Sequence, residues 1–99
     1  MAFPLVVTPE AEEDLAHARR WYEQRGRGLG DRFLASIEEV FDRIRRVPEA
    51  HAVTYRSIRQ ALSRRFPYVV CYTFEADCVH VIAVFHGHRD PDEWKSRAP

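Results

Sequence analysis

The sequence predicts an α+β fold: a short N-terminal strand, two helices joined as a hairpin, an antiparallel meander and a short C-terminal helix. Three observations carry this. Apolar residues recur at helical spacing between positions 11 and 47, the period shortens to strand-like runs between 53 and 86, and capping residues punctuate the changes.

Phe3 to Val7 is an apolar run of β type that stops at Thr8-Pro9, where Thr can cap and Pro suits the first helical position. The helix that follows buries Ala11, Leu15, Ala18 and Tyr22. Glu10, Glu12, Glu13 and Asp14 stand in its first turns and Arg19 and Arg20 near its end, in accord with the helix dipole. Glu12, Glu13 and Asp14 read as a solvated charged start, since adjacent helical residues point in different directions. Gly26 to Gly30 breaks the chain, and Asp31 is the expected cap of a second helix with the stripe Phe33, Leu34, Ile37, Val40, Phe41, Ile44 and Val47. Pro48 ends it. So short a connection favours antiparallel neighbours. The same glycines spell G-x-G-x-G, but they link two helices and do not follow a strand, so dinucleotide binding fails on context.

Beyond Pro48, Val53 to Arg59 reads as one strand, Phe66 to Phe74 as a second and Cys78 to His86 as a third. With a turn at Glu75-Ala76-Asp77, Val70, Tyr72 and Phe74 face Ala83, Val81 and Val79, while Val69, Cys71 and Thr73 face Val84, Ile82 and His80. Both faces of these strands are apolar, so both need a cover. Two helices cover one. The other falls to the C-terminal segment, to neighbours of the N-terminal strand or to a second polypeptide, because open apolar patches mark interaction surfaces. At the end, Asp90 with Glu93 and Pro91 forms a capping-box-like start to a short helix that drops Trp94 onto the body and puts His86 and Arg89 at the mouth of the sheet.

Composition bounds the function. With 99 residues, 45% of them hydrophobic, one domain over residues 1–99 can build a core without disulfide or metal. The two cysteines, Cys71 and Cys78, would sit roughly 10–14 Å apart along the ladder and should not bridge. No apolar run approaches the ~20 residues of a membrane span and the N-terminus lacks a signal peptide's basic flank, so a cytoplasmic protein without membrane partners is expected. Fifteen basic and fifteen acidic side chains cancel, which removes any global argument for nucleic-acid binding. Their distribution is uneven, at −2 over residues 1–50 and +2 over 51–99. The acid-free window between Glu49 and Glu75 holds Arg56, Arg59, Arg64 and Arg65 among Tyr55, Phe66, Tyr68, Tyr72 and Phe74. That mixture of cations and flat rings can meet phosphate and base, although arginines also guard strand edges. His86-x-His88 lacks standard zinc spacing, so neither a metal nor a cofactor is expected.

Several segments, in order, resemble the RelE/ParE superfamily of toxins from type II toxin–antitoxin modules, also described as plasmid stabilisation proteins. They are Thr8-Pro9-Glu10-Ala11 with Asp14-Leu15, Trp21-Tyr22-Glu23, Leu29-Gly30 with Phe33, Ile44 through Pro48, Ile58-Arg59, Arg65 through Tyr72, and His86-x-x-Arg89-x-Pro91-x-x-Trp94-x-x-Arg97. The resemblance implies a helical hairpin packed on a twisted, mainly antiparallel sheet, and a cognate antitoxin that neutralises the toxin. It points to that antitoxin as the missing cover, with Val69, Cys71, Ile82, Val84 and Trp94 as candidate antitoxin contacts. Operator DNA is then reached only through the antitoxin, since no helix here carries a basic recognition face.

RelE-like similarity implies ribosome-dependent cleavage of messenger RNA; ParE-like similarity implies inhibition of DNA gyrase by binding. Metal-independent cleavage needs a base, an acid and cations aimed at the phosphate, for which His86, Arg65 and Arg89 are the candidates. Members that cut RNA usually carry Lys or Arg on the central strands, where this chain has Val69, Val70 and Cys71. The ParE-like reading asks only for a shaped surface, with Arg59, Arg65, His86, Arg89 and Arg97 as candidate target contacts, and it is the leading expectation. Arg59 has a plainer role open to it as the partner of a carboxylate.

Overall fold

A computed structural model describes residues 2–88 and 92–99. The expected cap residues Asp90 and Pro91, and the candidate Arg89, lie outside the described residues. The elements are β1 (Leu5–Val7), α1 (Pro9–Arg25), α2 (Leu29–Arg46), a single 3-10 turn (Pro48–Ala50), β2 (Val53–Tyr55), β3 (Ile58–Leu62), β4 (Tyr68–Glu75), β5 (Cys78–His86) and α3 (Asp92–Lys95). The five strands form one sheet in the order β1-β5-β4-β3-β2. β1 runs parallel to β5 and every other pairing is antiparallel.

α1 starts as its sequence dictates, with Thr8 Oγ1 accepting from the Ala11 N–H and Pro9 at the first position. α2 does not start on an Asp31 cap. Its cap is Gly28 at φ 80, a left-handed conformation that favours glycine, and no side chain of its own serves the exposed amides. Glu23 on α1 serves them instead, its two carboxylate oxygens each accepting at 3.0 Å from the Gly28 and Gly30 N–H groups. Those two bonds hold the Glu23 carboxyl below its ordinary value. Asp31, freed from capping, pairs with Arg19 across the hairpin at 2.8 Å. Gly30 is buried where the helices touch, and a Cβ there would stand 2.8 Å from the Arg19 carbonyl oxygen.

Phe33, Ile37, Val40 and Ile44 of α2 meet Ala11, Leu15, Ala18 and Tyr22 of α1 over Val70, Tyr72, Val79, Val81 and Val84 of the sheet. Phe33 and Ile44 are fully enclosed, each contributing roughly 1.5–3 kcal/mol by burial. Val47, counted in the apolar stripe from sequence, is exposed because α2 ends at Arg46. Tyr72 crosses the core to donate its hydroxyl to the Pro48 carbonyl at 2.6 Å, and burial pushes that phenol up to about 12.

Two strand expectations need correction. The expected strand Val53–Arg59 is a hairpin, β2 turning into β3 at Arg56-Ser57 with Arg56 at φ 51. No Gly, Asn or Pro announces this turn, so sequence periodicity runs through it. The β4–β5 turn lies where expected, with Ala76 and Asp77 both at positive φ, and the register Phe74↔Val79, Thr73↔His80, Tyr72↔Val81 follows. Past Tyr72 a bulge inserts one residue into β5, so Cys71 faces Ala83, Val70 faces Val84 and Val69 faces Phe85. The slip turns Val84 to the helix side, away from the face on which it was expected.

That second face is the larger surprise. Ile58, Val69, Cys71, Ile82 and Ala83 form a second core closed by Trp94 of α3 and edged by Tyr55, Phe85 and Ala98. Of the three covers the sequence allowed for this face, the chain's own C-terminal segment is the one found, so the face is not left open for the antitoxin to which the family resemblance pointed. Of the candidate antitoxin contacts, Val69, Cys71, Ile82, Val84 and Trp94 are 7%, 0%, 5%, 3% and 5% exposed. The Phe85 and Trp94 rings lie nearly parallel with centroids 6.4 Å apart, and Arg97 donates to the Ile82 carbonyl and to Asp14, fastening the segment down. Cys71 and Cys78 are both unbridged.

Candidate functional site

The β5 bulge decides what the end of the sheet presents. Without the extra residue Phe85 would point toward the helices; with it, His86 does. His86 enters a cleft of about 510 Å³ between α1 and the end of β5, lined by Glu13, Asp14, His17, Ala18 and Trp21 on the helix and by Tyr68, Val84, Phe85, His86 and His88 on the sheet. Trp21 is 42% exposed there, with the Arg25 guanidinium 3.3 Å above its ring. His86 packs edge-on to Tyr68, and its Nδ1 accepts the His88 backbone N–H at 3.1 Å. In the neutral ring this bond leaves the proton on Nε2.

Arg65 belongs to a different cleft. Arg64 and Arg65, in the β3–β4 turn, face Ser36, Glu39, Asp42, Arg43 and Arg46 of α2 across about 440 Å³. Arg43 is steadied by donating to the Leu62 carbonyl at 2.9 Å, and Ser36 by a 2.7 Å hydroxyl pair with Ser63. Among the described residues none of these four guanidiniums pairs with a carboxylate. His51 has its pKa lowered by burial first, then by the charges of Arg43 and Arg59.

The candidate target residues thus separate. His86 and Arg65 line different clefts. Arg59 is spent on backbone, donating to the carbonyls of Glu49 at 3.2 Å and His51 at 2.6 Å, so its partner is not the carboxylate that its charge suggested. Arg97 is taken by Asp14. Sequence reasoning left Asp14 in a solvated charged start, yet it is only partly exposed and accepts from Arg97 and from the Val84 N–H. Its place next to Leu15 and four residues before Ala18, at the margin of the buried stripe, was the available signal. Among the described residues no group of three or more His, Cys, Asp or Glu is placed to hold a metal ion. No helix among them is long and apolar enough to cross a membrane.

An open apolar groove lies at the other edge of the sheet, between β1 and the two helices. Val7, Leu15, Ala16, Leu34, Ile37 and Phe41 floor this groove of about 380 Å³, and Glu12, Arg19 and Glu38 rim it.

Comparison with known proteins places this architecture. The family model described as the ParE toxin of the type II toxin–antitoxin system parDE matches residues 5–91. Toxin ParE2 of Mycobacterium tuberculosis is 29% identical over 82 residues, which cover 82% of this chain and 78% of that protein. In the solved chromosomal ParDE toxin–antitoxin system from P. aeruginosa, a chain at 16% identity superposes with a TM-score of 0.76, covering 86% of this chain and 96% of its own length. A chain of the RelBE2 toxin–antitoxin complex from M. tuberculosis, at 22% identity, gives 0.63 over 87% of this chain and 99% of that one. The last two matches carry the fold, with the N-terminal strand, helical pair and mixed sheet in the same arrangement, and the family match extends from β1 to just past β5. On that evidence the chain belongs to the ParE toxin family of type II toxin–antitoxin systems.

Proposed function

We propose that this chain is a toxin that inhibits DNA gyrase by binding and that a cognate antitoxin neutralises it. The observation that carries the first half is the separation of His86 from Arg65. Phosphodiester cleavage needs a proton acceptor and a cation on the same phosphate; of the three candidates, His86 and Arg65 line different clefts and Arg89 lies outside the described residues. The Nδ1 bond of His86 adds to this by leaving Nε2 protonated. A binding mechanism asks for neither, and Trp21 with its stacked Arg25 is the kind of exposed aromatic–cation pair on which protein contacts concentrate.

For the antitoxin, the open groove between α1, α2 and β1 is the surface we assign. Its apolar floor and charged rim suit an amphipathic segment laid along it, whereas the sheet face is occupied by Trp94.

Two assays on the purified toxin test the reading: gyrase supercoiling, and integrity of messenger RNA on translating ribosomes. Inhibited supercoiling with intact message is the expected result. Cleaved message that disappears in His86→Ala or Arg65→Ala would replace the gyrase reading with ribosome-dependent cleavage. For the second half, Phe41→Glu should abolish rescue of growth by the antitoxin without abolishing toxicity; unimpaired rescue would remove the groove from the interface.

A further inference from the structure

We infer that the arginine cleft between α2 and the β3–β4 turn binds a nucleic-acid phosphodiester backbone. Arg43, Arg46, Arg64 and Arg65 line it together with Glu39 and Asp42, so the cleft holds a surplus of two positive charges in a chain whose total is zero. A helix C-terminus accounts for part of this, since Arg43 and Arg46 stand in the last turn of α2 and offset its dipole. Arg64 and Arg65 come from another element and have no such duty. Both are exposed, and among the described residues neither forms an ion pair. Paired with carboxylates, these guanidiniums would be satisfied; unpaired and facing the same opening, they are poised for an anion that presents several oxygens.

The lining decides which anion. Every side chain lining the cleft is polar or charged; of the exposed apolar residues close by in sequence, Val47 follows Arg46 past the end of α2, and Leu62 lies at an alternating strand position beyond the buried Ala61 that faces the helices, and neither lines the cleft. An acidic protein segment draws its affinity from apolar and aromatic anchors, for which this cleft has no seat. It also offers no exposed ring on which a base could stack, because Phe66 is drawn into the core against Tyr22 and Phe33. What remains is backbone recognition without base readout, in which guanidiniums meet phosphate oxygens. Such contact would hold the toxin against the nucleic acid its target is working on. The inference does not depend on gyrase being that target.

The test is fluorescence anisotropy of the purified full-length toxin with a labelled short DNA duplex and a labelled single-stranded RNA, each titrated over a range of salt. Binding should weaken with salt along a straight log–log line. In Arg64→Ala/Arg65→Ala the slope should fall by about 0.9 per lost duplex phosphate contact and by about 0.7 on the single strand. Arg20→Ala, which removes one exposed charge from α1, should leave the slope unchanged. Circular dichroism checks that both variants are folded. A stronger effect on the duplex or on the RNA identifies the source of the backbone. Salt-independent binding, a variant slope equal to that of the unmodified chain, or displacement of both probes by polyglutamate at equal charge concentration would each overturn the proposal. Gyrase inhibition is scored separately, so loss of supercoiling inhibition with intact anisotropy, or the reverse, tells the two readings apart.

Discussion

Asp14 and Arg97, 83 positions apart in sequence, meet side by side, with Nη1 2.6 Å from Oδ2 and Nη2 3.3 Å from Oδ1. The same Asp14 oxygen accepts the Val84 N–H, and the same Arg97 nitrogen donates to the Ile82 carbonyl. One ion pair therefore joins α1, the bulged stretch of β5 and the C-terminal segment. The pair lifts the Arg97 pKa above its ordinary value, chiefly through the Asp14 hydrogen bond. Both side chains are about three-quarters covered, so solvent screens the pair only in part.

Removing that anchor has two consequences. Asp14→Ala leaves the Arg97 charge and the Val84 N–H without their acceptor and should cost about 2 kcal/mol, read as a lowered urea midpoint. It should also loosen the cover over the second core. In a Trp21→Phe background, where Trp94 is the remaining indole, Trp94 emission should shift to the red before global unfolding. An unshifted midpoint would mean that Trp94 and Ala98 hold the segment without the ion pair.

Glu23 makes the hairpin sensitive to acid. Its folded pKa is depressed, first by the Gly28 and then by the Gly30 amide bond. Its contribution is therefore complete above the ordinary carboxylate value near 4.5 and fades as pH falls through the lower folded value. Glu23→Gln should be less stable than the unmodified chain at neutral pH. That gap should narrow on acidification below about pH 4.5 in parallel urea titrations. A gap that stays constant with pH would assign the effect to something other than the charge.

Gly30 allows the helices to touch. Alanine there would place a methyl 2.8 Å from the Arg19 carbonyl and 3.0 Å from Glu23 Oε1, so Gly30→Ala should destabilise by about 1–3 kcal/mol despite alanine's better helix propensity. Gly26→Ala is the matched control. Its nearest neighbour would be Leu29 Cδ2 at an ordinary 3.6 Å, and its φ of −172° suits any residue, so its midpoint should barely move.

The two thiols should report folding separately. Cys71 is fully buried between the β3–β4 and β4–β5 pairings, and burial pushes its pKa up to about 12. Cys78 stands half-buried beside the β4–β5 turn. Iodoacetamide at mildly alkaline pH should add one carbamidomethyl group to the native protein, at Cys78, and a second only in urea. Mass spectrometry of native protein carrying a label on Cys71 would mean that the C-terminal cover opens freely.

The elements whose reasons lie within a few residues were legible from sequence. The Thr8-Pro9 start of α1, the stripe from Ala11 to Tyr22, the end of α2 before Pro48 and the β4–β5 turn each rest on local backbone chemistry. Family membership was legible too, because motif order survives in sequence. The choices that needed the tertiary structure all depend on partners far along the chain. Glu23, not Asp31, serves the amides of α2 because the hairpin delivers it there. Ile82 bulges, and a residue inserted into one strand leaves the apolar pattern of both faces readable in either register. Arg59 and Arg97 carried charges that sequence could count but not pair; backbone carbonyls and Asp14 claim them only once β3 and the C-terminal segment are in place. Sequence alone fixed that the sheet has two apolar faces. Which chain covers the second was settled by distance in space, where Trp94 reaches Ile58, Cys71 and Ile82 before any other polypeptide is needed.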